Sequence, residues 1–344
     1  MSSIEASPVM VETFESITSY WLAPGSRLKW DCLFALPVWL KVWWNCLGSM
    51  MTPCLRSVRF GRDLLGIAPL VLEGNKVSFM GSPDVCDYLD FVVVPGKERE
   101  FFRLLIDYLK QQGITSLDLG PVRNESTVLN GLIPVIRGAG CEFSISREDV
   151  SVELDLPATW EDFLSGLSGK ERHEIRRKLR RLKGAADIQL RLADEREEVR
   201  SGMETFLNLL RLSRHEKAAF MTARMAAFFR SLAEALAEWN ILRLYFLDLN
   251  GEPVAAALCF DYGSTMYLYN SGYDPQFRNL SVGLLNKVLS LRESIRRGKK
   301  RYDFLKGAEP YKYRLGGRPV PLYRCRIELG NGHEPPEGSN REGR

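Results

Sequence analysis

The residues best placed to do chemistry fall between positions 270 and 316. Arg278-Asn279-Leu280-Ser281-Val282-Gly283 leads from a strand end into a helix whose first turn has free backbone N–H groups, and such a turn is an anion seat. A strand then ends at Tyr302-Asp303-Phe304, and a polar segment carries Glu309, Tyr311 and Lys312 back toward the same sheet edge. A carboxylate, a phenol and an ammonium beside an anion seat can move protons next to a bound anion. Each has a plainer use as well. Asp303 can act as a base, orient Lys312 or close a strand-end salt bridge; Tyr311 can pack; Lys312 can meet an anion or stay solvated. Ser281 can cap the helix and donate its hydroxyl to an anion.

Other residues narrow the options. Eight basic side chains between Lys170 and Lys183, against Glu171 and Glu174, give a local balance of +6 in a chain of net +4, which leaves −2 elsewhere. A polyanion would therefore be met there. On a helix over 169–185, Ile175, Leu179 and Leu182 fall within about 60° of one another. Arg172, Arg176 and Lys183 stand beside that stripe, as a solvated face or as the wall of an anion groove. The three histidines, His173, His215 and His333, do not cluster, so neither a metal site nor a Ser-His-Asp mechanism is expected. His215 closes a helix in this reading, either as a cleft residue or as a C-terminal cap. Seven scattered cysteines without a C-x-x-C pair are expected to be reduced thiols in a cytoplasmic protein.

These side chains need a scaffold. At 344 residues, two domains are expected. Strands over 55–60, 64–72 and 76–80 read as a meander, followed by a strand at 87–94, a helix over 98–112 and a strand from Ser116. After a strand at 151–156 and the basic helix come helices near 195–216 and 222–239. Asn250-Gly251 then marks a type I′ hairpin, and a third strand begins at Thr265. Helix 281–297 and strands at 301–305 and 321–329 complete the half. The two halves echo each other, as an ancient duplication would. Residues 1–28 are expected to be weakly ordered with one short helix near Glu12 to Tyr20, 29–150 and 151–330 to form the halves, and 331–344 to be a disordered tail. The first residues do not read as a signal peptide. Trp30 to Leu47 is broken by Pro37 and falls short of the roughly 20 residues that span a bilayer, leaving a buried helix or an interfacial anchor.

The order of elements in the second half resembles a GCN5-related N-acetyltransferase (GNAT) domain. Arg278 to Gly283 matches that family's loop [QR]-x-x-G-x-[GA] except for Ser281 at the first Gly. The whole chain, over about residues 30–325, is similar to the branch with two GNAT-like halves: the CelD-like proteins of cellulose and exopolysaccharide biosynthesis and the Fem-type aminoacyl transferases. The stretches that carry this likeness are Asp87-Tyr88-Leu89-Asp90-Phe91, the pattern K-x-R-x-x-x-R-R-x-x-R-x-L from Lys170 to Leu182, Asn250 to Ala255, and Tyr302 to Gly307 with Tyr311-Lys312.

The resemblance implies an α/β (α+β) fold of two GNAT-like halves, each a mixed, mostly antiparallel sheet flanked by helices. It implies an acetyl-CoA or other acyl-CoA donor whose pyrophosphate rests on Arg278, Asn279, Ser281, Val282 and Gly283, beside Asn270 and Ser271. A splayed strand near Tyr269–Gly272 would offer a backbone N–H to the oxyanion. Tyr311 would be the general acid, with Asp303 and Lys312 as its catalytic neighbours. Asp87, Tyr88 and Asp90 would face the acceptor from the opposite wall, with Arg172, Arg176 and His215 as further substrate contacts. The implied acceptor is an amine, such as an amino sugar or related precursor of envelope or exopolysaccharide, without DNA or metal. Peripheral association with a membrane or a polysaccharide synthesis complex fits the same family. An aminoacyl-tRNA donor is the alternative, with the basic helix holding tRNA phosphates. Fem-type enzymes that use tRNA often carry a long coiled-coil hairpin, and the five residues between Glu216 and Thr222 leave no room for one. A non-catalytic scaffold is the third reading.

Overall fold

The structure, a computed structural model, describes residues 7–330. Its first half carries β1 (Val9–Val11), β2 (Thr52–Phe60), β3 (Asp63–Glu73), β4 (Lys76–Phe79), β5 (Val92–Val93), β6 (Ser116–Arg123) and β7 (Glu142–Asp155). Gly61 and Gly74 take φ 58° and 61° at the turns that fold β2, β3 and β4 into the expected antiparallel meander. The helix Glu98–Gln111 follows, burying Phe101, Phe102, Leu105, Ile106 and Leu109 at helical spacing. It returns the chain to β6, which runs parallel to β4.

The second half repeats this plan. It has β8 (Ile188–Ala193), β9 (Leu242–Leu249), β10 (Glu252–Tyr262), β11 (Thr265–Tyr273), β12 (Arg301–Lys306) and β13 (Arg318–Glu328). The hairpin forms where Asn250-Gly251 places it, with φ 52° and 86°. Helix Val282–Arg296 then returns the chain to β12, parallel to β11.

Each half gives its closing strand to the other. β7 follows β6 in the chain but pairs with β12, while β13 follows β12 and pairs with β6. β7 and β13 also pair with each other, so one sheet runs β1-β2-β3-β4-β6-β13-β7-β12-β11-β10-β9-β8. The fold is mixed α/β, its sheet mostly antiparallel and flanked by helices. The boundary expected at 150/151 falls inside β7, the strand that joins the halves.

Several expectations are corrected. Residues 7–28 hold more than the expected short helix: β1 pairs with β2, and the helix itself runs Phe14–Leu22, capped by Thr13 with a reciprocal Ser16 bond and burying Ile17. The strand expected over 87–94 shrinks to β5, because Asp87 and Asp90 are held by side-chain bonds to other segments. β8 was not expected; it is a short edge strand whose outward residues are polar. The disordered tail expected over 331–344 lies outside the described residues.

Trp39 and Trp43 are fully buried in helix Pro37–Leu47. Trp39 meets Phe260 and Tyr269 edge-on at 5.4 and 5.5 Å, so this aromatic segment is core shared by both halves. Among the described residues no helix is long and apolar enough to cross a membrane.

Candidate functional site

Strands β11 and β12 pair only at Thr265–Arg301, Met266–Tyr302 and Tyr267–Asp303, and then part. Two local distortions open them. On β11 a bulge leaves Tyr269 without a partner, since Leu258 and Cys259 of β10 face Asn270 and Leu268. On β12, Leu305 is left-handed at φ 60°, which costs a branched side chain about 1–2 kcal/mol.

Two buried charges hold Leu305 there. Asp303 accepts the Leu305 N–H at 2.7 Å. From the other side Lys312 donates to the carbonyls of Leu305, Lys306 and Gly307 at 2.9, 2.7 and 3.0 Å and pairs with Glu309 at 2.9 Å. Asp303 therefore does not orient Lys312; both act on the same stretch of backbone. The remaining capacity of Asp303 is also filled, by the Tyr88 hydroxyl at 2.8 Å, the Ser151 hydroxyl at 3.1 Å and the Arg123 guanidinium at 3.6 Å. Burial, with Glu153 adding to it and Arg123 opposing, pushes its pKa up to about 6. The Lys312 ammonium is spent on the strand end and is not left to solvent.

Between the parted strands lies a cavity of about 260 Å³. Asn270 and Ser271 line it from β11, Tyr311 from the segment after β12, and Asp87 from the first half. Asp87 accepts the Lys306 N–H at 3.1 Å, and burial raises its pKa. Burial also raises that of Tyr311, whose phenol keeps its proton at neutral pH. The Ser271 N–H bonds to Asn270 Oδ1 at 2.9 Å, so the oxyanion donor expected on this strand is already engaged at that residue.

Sequence reasoning missed Arg214, Lys217 and Lys287, which line the same cavity. Lys287 had a legible signal, a single cation within the apolar helix run Val282-Gly283-Leu284-Leu285-Asn286-Lys287-Val288-Leu289. Burial pulls the Lys287 pKa down to about 7, with Lys217 and Arg214 contributing. Burial and then Arg214 lower Lys217 to about 8.

The helix start stands beside this opening. Ser281 takes φ 58°, the conformation in which glycine is unstrained, and its side chain makes no cap bond. It accepts instead from Arg181 at 3.2 Å, which corrects the expected capping role. The Ser281 carbonyl takes the N–H groups of Leu284 and Leu285, while those of Val282 and Gly283 point out of the helix end. Gly283 must be small, because a Cβ there would stand 2.7 Å from the Tyr273 ring. Arg278 and Asn279 are exposed in the turn Pro275–Leu280.

The other predicted substrate contacts lie elsewhere. Arg172 and Arg176 line neither cavity; Arg172 approaches the Ser165 carbonyl at 3.5 Å, and Arg176 is exposed. The basic helix Gly169–Ala185 meets the turn before Val282 through the Arg181–Ser281 bond. His215 begins the short helix His215–Phe220, because Arg214 is extended and breaks the longer helix expected there. It is exposed and caps no C-terminus.

Tyr88 and Asp90 line a larger cavity of about 810 Å³ between the halves, near the starts of β11 and β12, with Asp303 in its wall. Asp90 accepts from the Thr127 N–H and hydroxyl, the latter at 2.6 Å, and from the Phe91 N–H at 2.9 Å. Burial still lifts its pKa from 3.8 to about 6. Its contribution to stability is thus complete below pH 3.8 and lost as pH rises through 6. Asp90→Asn removes this titration. Wild-type stability relative to the variant, from urea unfolding, is expected to fall by up to about 3 kcal/mol across that window. A pH-independent difference would contradict the assignment.

All seven cysteines are free, and no group of three metal-ligating side chains occurs among the described residues.

Residues 169–313 match the acetyltransferase (GNAT) domain family. Among solved structures, FemX superposes with a TM-score of 0.63 at 13% identity, over 92% of this chain and 96% of that one. A conserved protein of unknown function from Bacteroides thetaiotaomicron gives 0.56 at 12% identity, over 94% and 100%. L-PGS from Bacillus licheniformis gives 0.51 at 11% identity, over 80% and 84%. No curated protein matches the chain. The chain has the GNAT acetyltransferase fold, with FemX among its structural neighbours.

Proposed function

We propose that this protein transfers an acyl group from an acyl-CoA to an amine. The observation that carries the reading is the opening between β11 and β12, with the helix start at Val282 beside it. An extended thioester arm fits between two parted strands, and its pyrophosphate would rest on the first-turn N–H groups of Val282 and Gly283, with Arg278 and Asn279 at the rim. Asp87 would take the proton from the attacking amine, and Tyr311 would return one to the departing thiolate. The amine nitrogen bonds to the acyl carbon as the carbon–sulfur bond breaks, releasing CoA. As acceptor we assign an amino sugar or related precursor of envelope or exopolysaccharide, on the ordered likeness to the CelD-like branch.

Isothermal titration tests the donor. Acetyl-CoA or a longer acyl-CoA should bind saturably. Arg278→Glu, an exposed change, should weaken it about tenfold or more by reversing a charge at the phosphates. Equal affinity in the variant would overturn the phosphate seat.

A second reading, an aminoacyl-tRNA donor, is favoured by one observation. Arg176, Arg177 and Arg180 are exposed on the basic helix, and Arg181 joins that helix to the turn before Val282. Tight tRNA binding without acyl-CoA binding would select it, and the absence of both would leave a scaffold.

A further inference from the structure

Lys217 and Lys287 come from different helices and face the small cavity together. Lys217 donates to Asn270 Oδ1 at 2.9 Å and to the Ser271 carbonyl at 2.5 Å. Lys287 donates to the Gly283 carbonyl at 2.8 Å, and its ammonium lies 5.1 Å from the centre of the Tyr311 ring. Both are half-buried, and neither forms an ion pair among the described residues, although charges withdrawn from water are ordinarily paired. The other charges nearby do not supply a partner. Glu309 pairs with Lys312, Lys306 donates to the Pro83 carbonyl, and Asp87 accepts the Lys306 backbone N–H. Asp84 adds one acid to the wall and Arg214 one more cation, so the lining keeps an excess of positive charge. Burial pulls both lysine pKa values down toward neutrality, neighbouring cations add to it, and Glu309 opposes it only in part.

We propose that this cavity seats a carboxylate between Lys217 and Lys287, carried either by the acyl group being transferred or by the amine that receives it. The inference rests on the acyl-CoA reading. Coenzyme phosphate is not the group meant, since its proposed seat is the Val282 helix start beside the opening, and Val282 does not line this cavity. A carboxylate there supplies the missing counter-charge, raises both lysine pKa values and draws in protons. It also selects for substrates that present an acid a short reach from the reacting carbonyl.

Two titration arms distinguish the sources. Succinyl-CoA is compared with acetyl-CoA, and an α-amino acid is compared with its amide in CoA-saturated protein. In one arm the carboxylate ligand should bind at least tenfold more tightly than its neutral counterpart. At pH 8 that binding should take up protons, read as heats that vary with buffer ionisation enthalpy. Lys217→Met, or Lys287→Met should the first fail to fold, should bring the preference within twofold. If acyl-CoA binds but neither arm shows a preference, the carboxylate seat falls and the donor reading stands. If no acyl-CoA binds, both fall.

Discussion

Asp87→Asn is expected to lower kcat for amine acylation by 10²- to 10⁴-fold, the usual worth of a positioned general base. Asp87 reaches the cavity from the first half, and among the described residues its side chain accepts only the Lys306 N–H. Asp303 carries the same chemistry, but Tyr88, Ser151, Arg123 and the Leu305 N–H fill its oxygens, and it has no exposed surface. Asparagine can still accept the Lys306 N–H, so the variant should keep its fold and its acyl-CoA affinity. Burial raises the Asp87 pKa, so a base in its ionised form makes the wild-type rate climb as pH rises through that raised value. The variant should lack this limb. Steady-state rates across pH, with thermal denaturation as the fold control, decide the matter. A loss of less than about tenfold, or an unchanged pH limb, would remove Asp87 from the role.

Gly272→Ala is expected to destabilise the protein by about 3 kcal/mol or more. Gly272 lies on β11 where helix Arg196–Ser213 crosses it, and an added Cβ would stand 2.5 Å from Leu210 Cα and press on the Leu209 carbonyl carbon and the Leu210 nitrogen. Those are backbone atoms of a packed helix, so no side chain can swing aside. The helix would have to lift, and with it the following segment that places Arg214 and Lys217 in the cavity. Thermal or urea unfolding reads the loss, and a variant within 1 kcal/mol of wild type would show that the helix yields cheaply. Gly202 offers the comparison, since a Cβ there meets only the side chains of Phe246 and Leu244, at 3.1–3.2 Å. Its substitution by Ala should cost less.

The parts written into the sequence alone are those set by local chemistry. Asn250-Gly251 specifies its hairpin because both residues accept positive φ, and the meander, the basic helix and the helix entered after Ser281 follow from turn residues and apolar period. Ser281 in a glycine position was visible as a departure, and the structure explains its tolerance: the residue stays left-handed and ties its hydroxyl to Arg181. That Asp87 lines the same cavity as Tyr311 could not be derived from spacing.

Tertiary structure decided the rest, because the deciding partners lie far apart in the chain. Tyr88 and Asp303 are 215 residues apart, and only their meeting makes the Tyr88 hydroxyl one of the groups that fill the oxygens of Asp303 at a strand end. The exchange of β7 and β13 has no local signal, since either strand reads equally well beside β6 or β12. Arg172, Arg176 and Lys287 are all cations on helices, and composition cannot rank them. Placement in the fold does: the first two line neither cavity, while Lys287 lines the opening between β11 and β12 and forms no ion pair among the described residues.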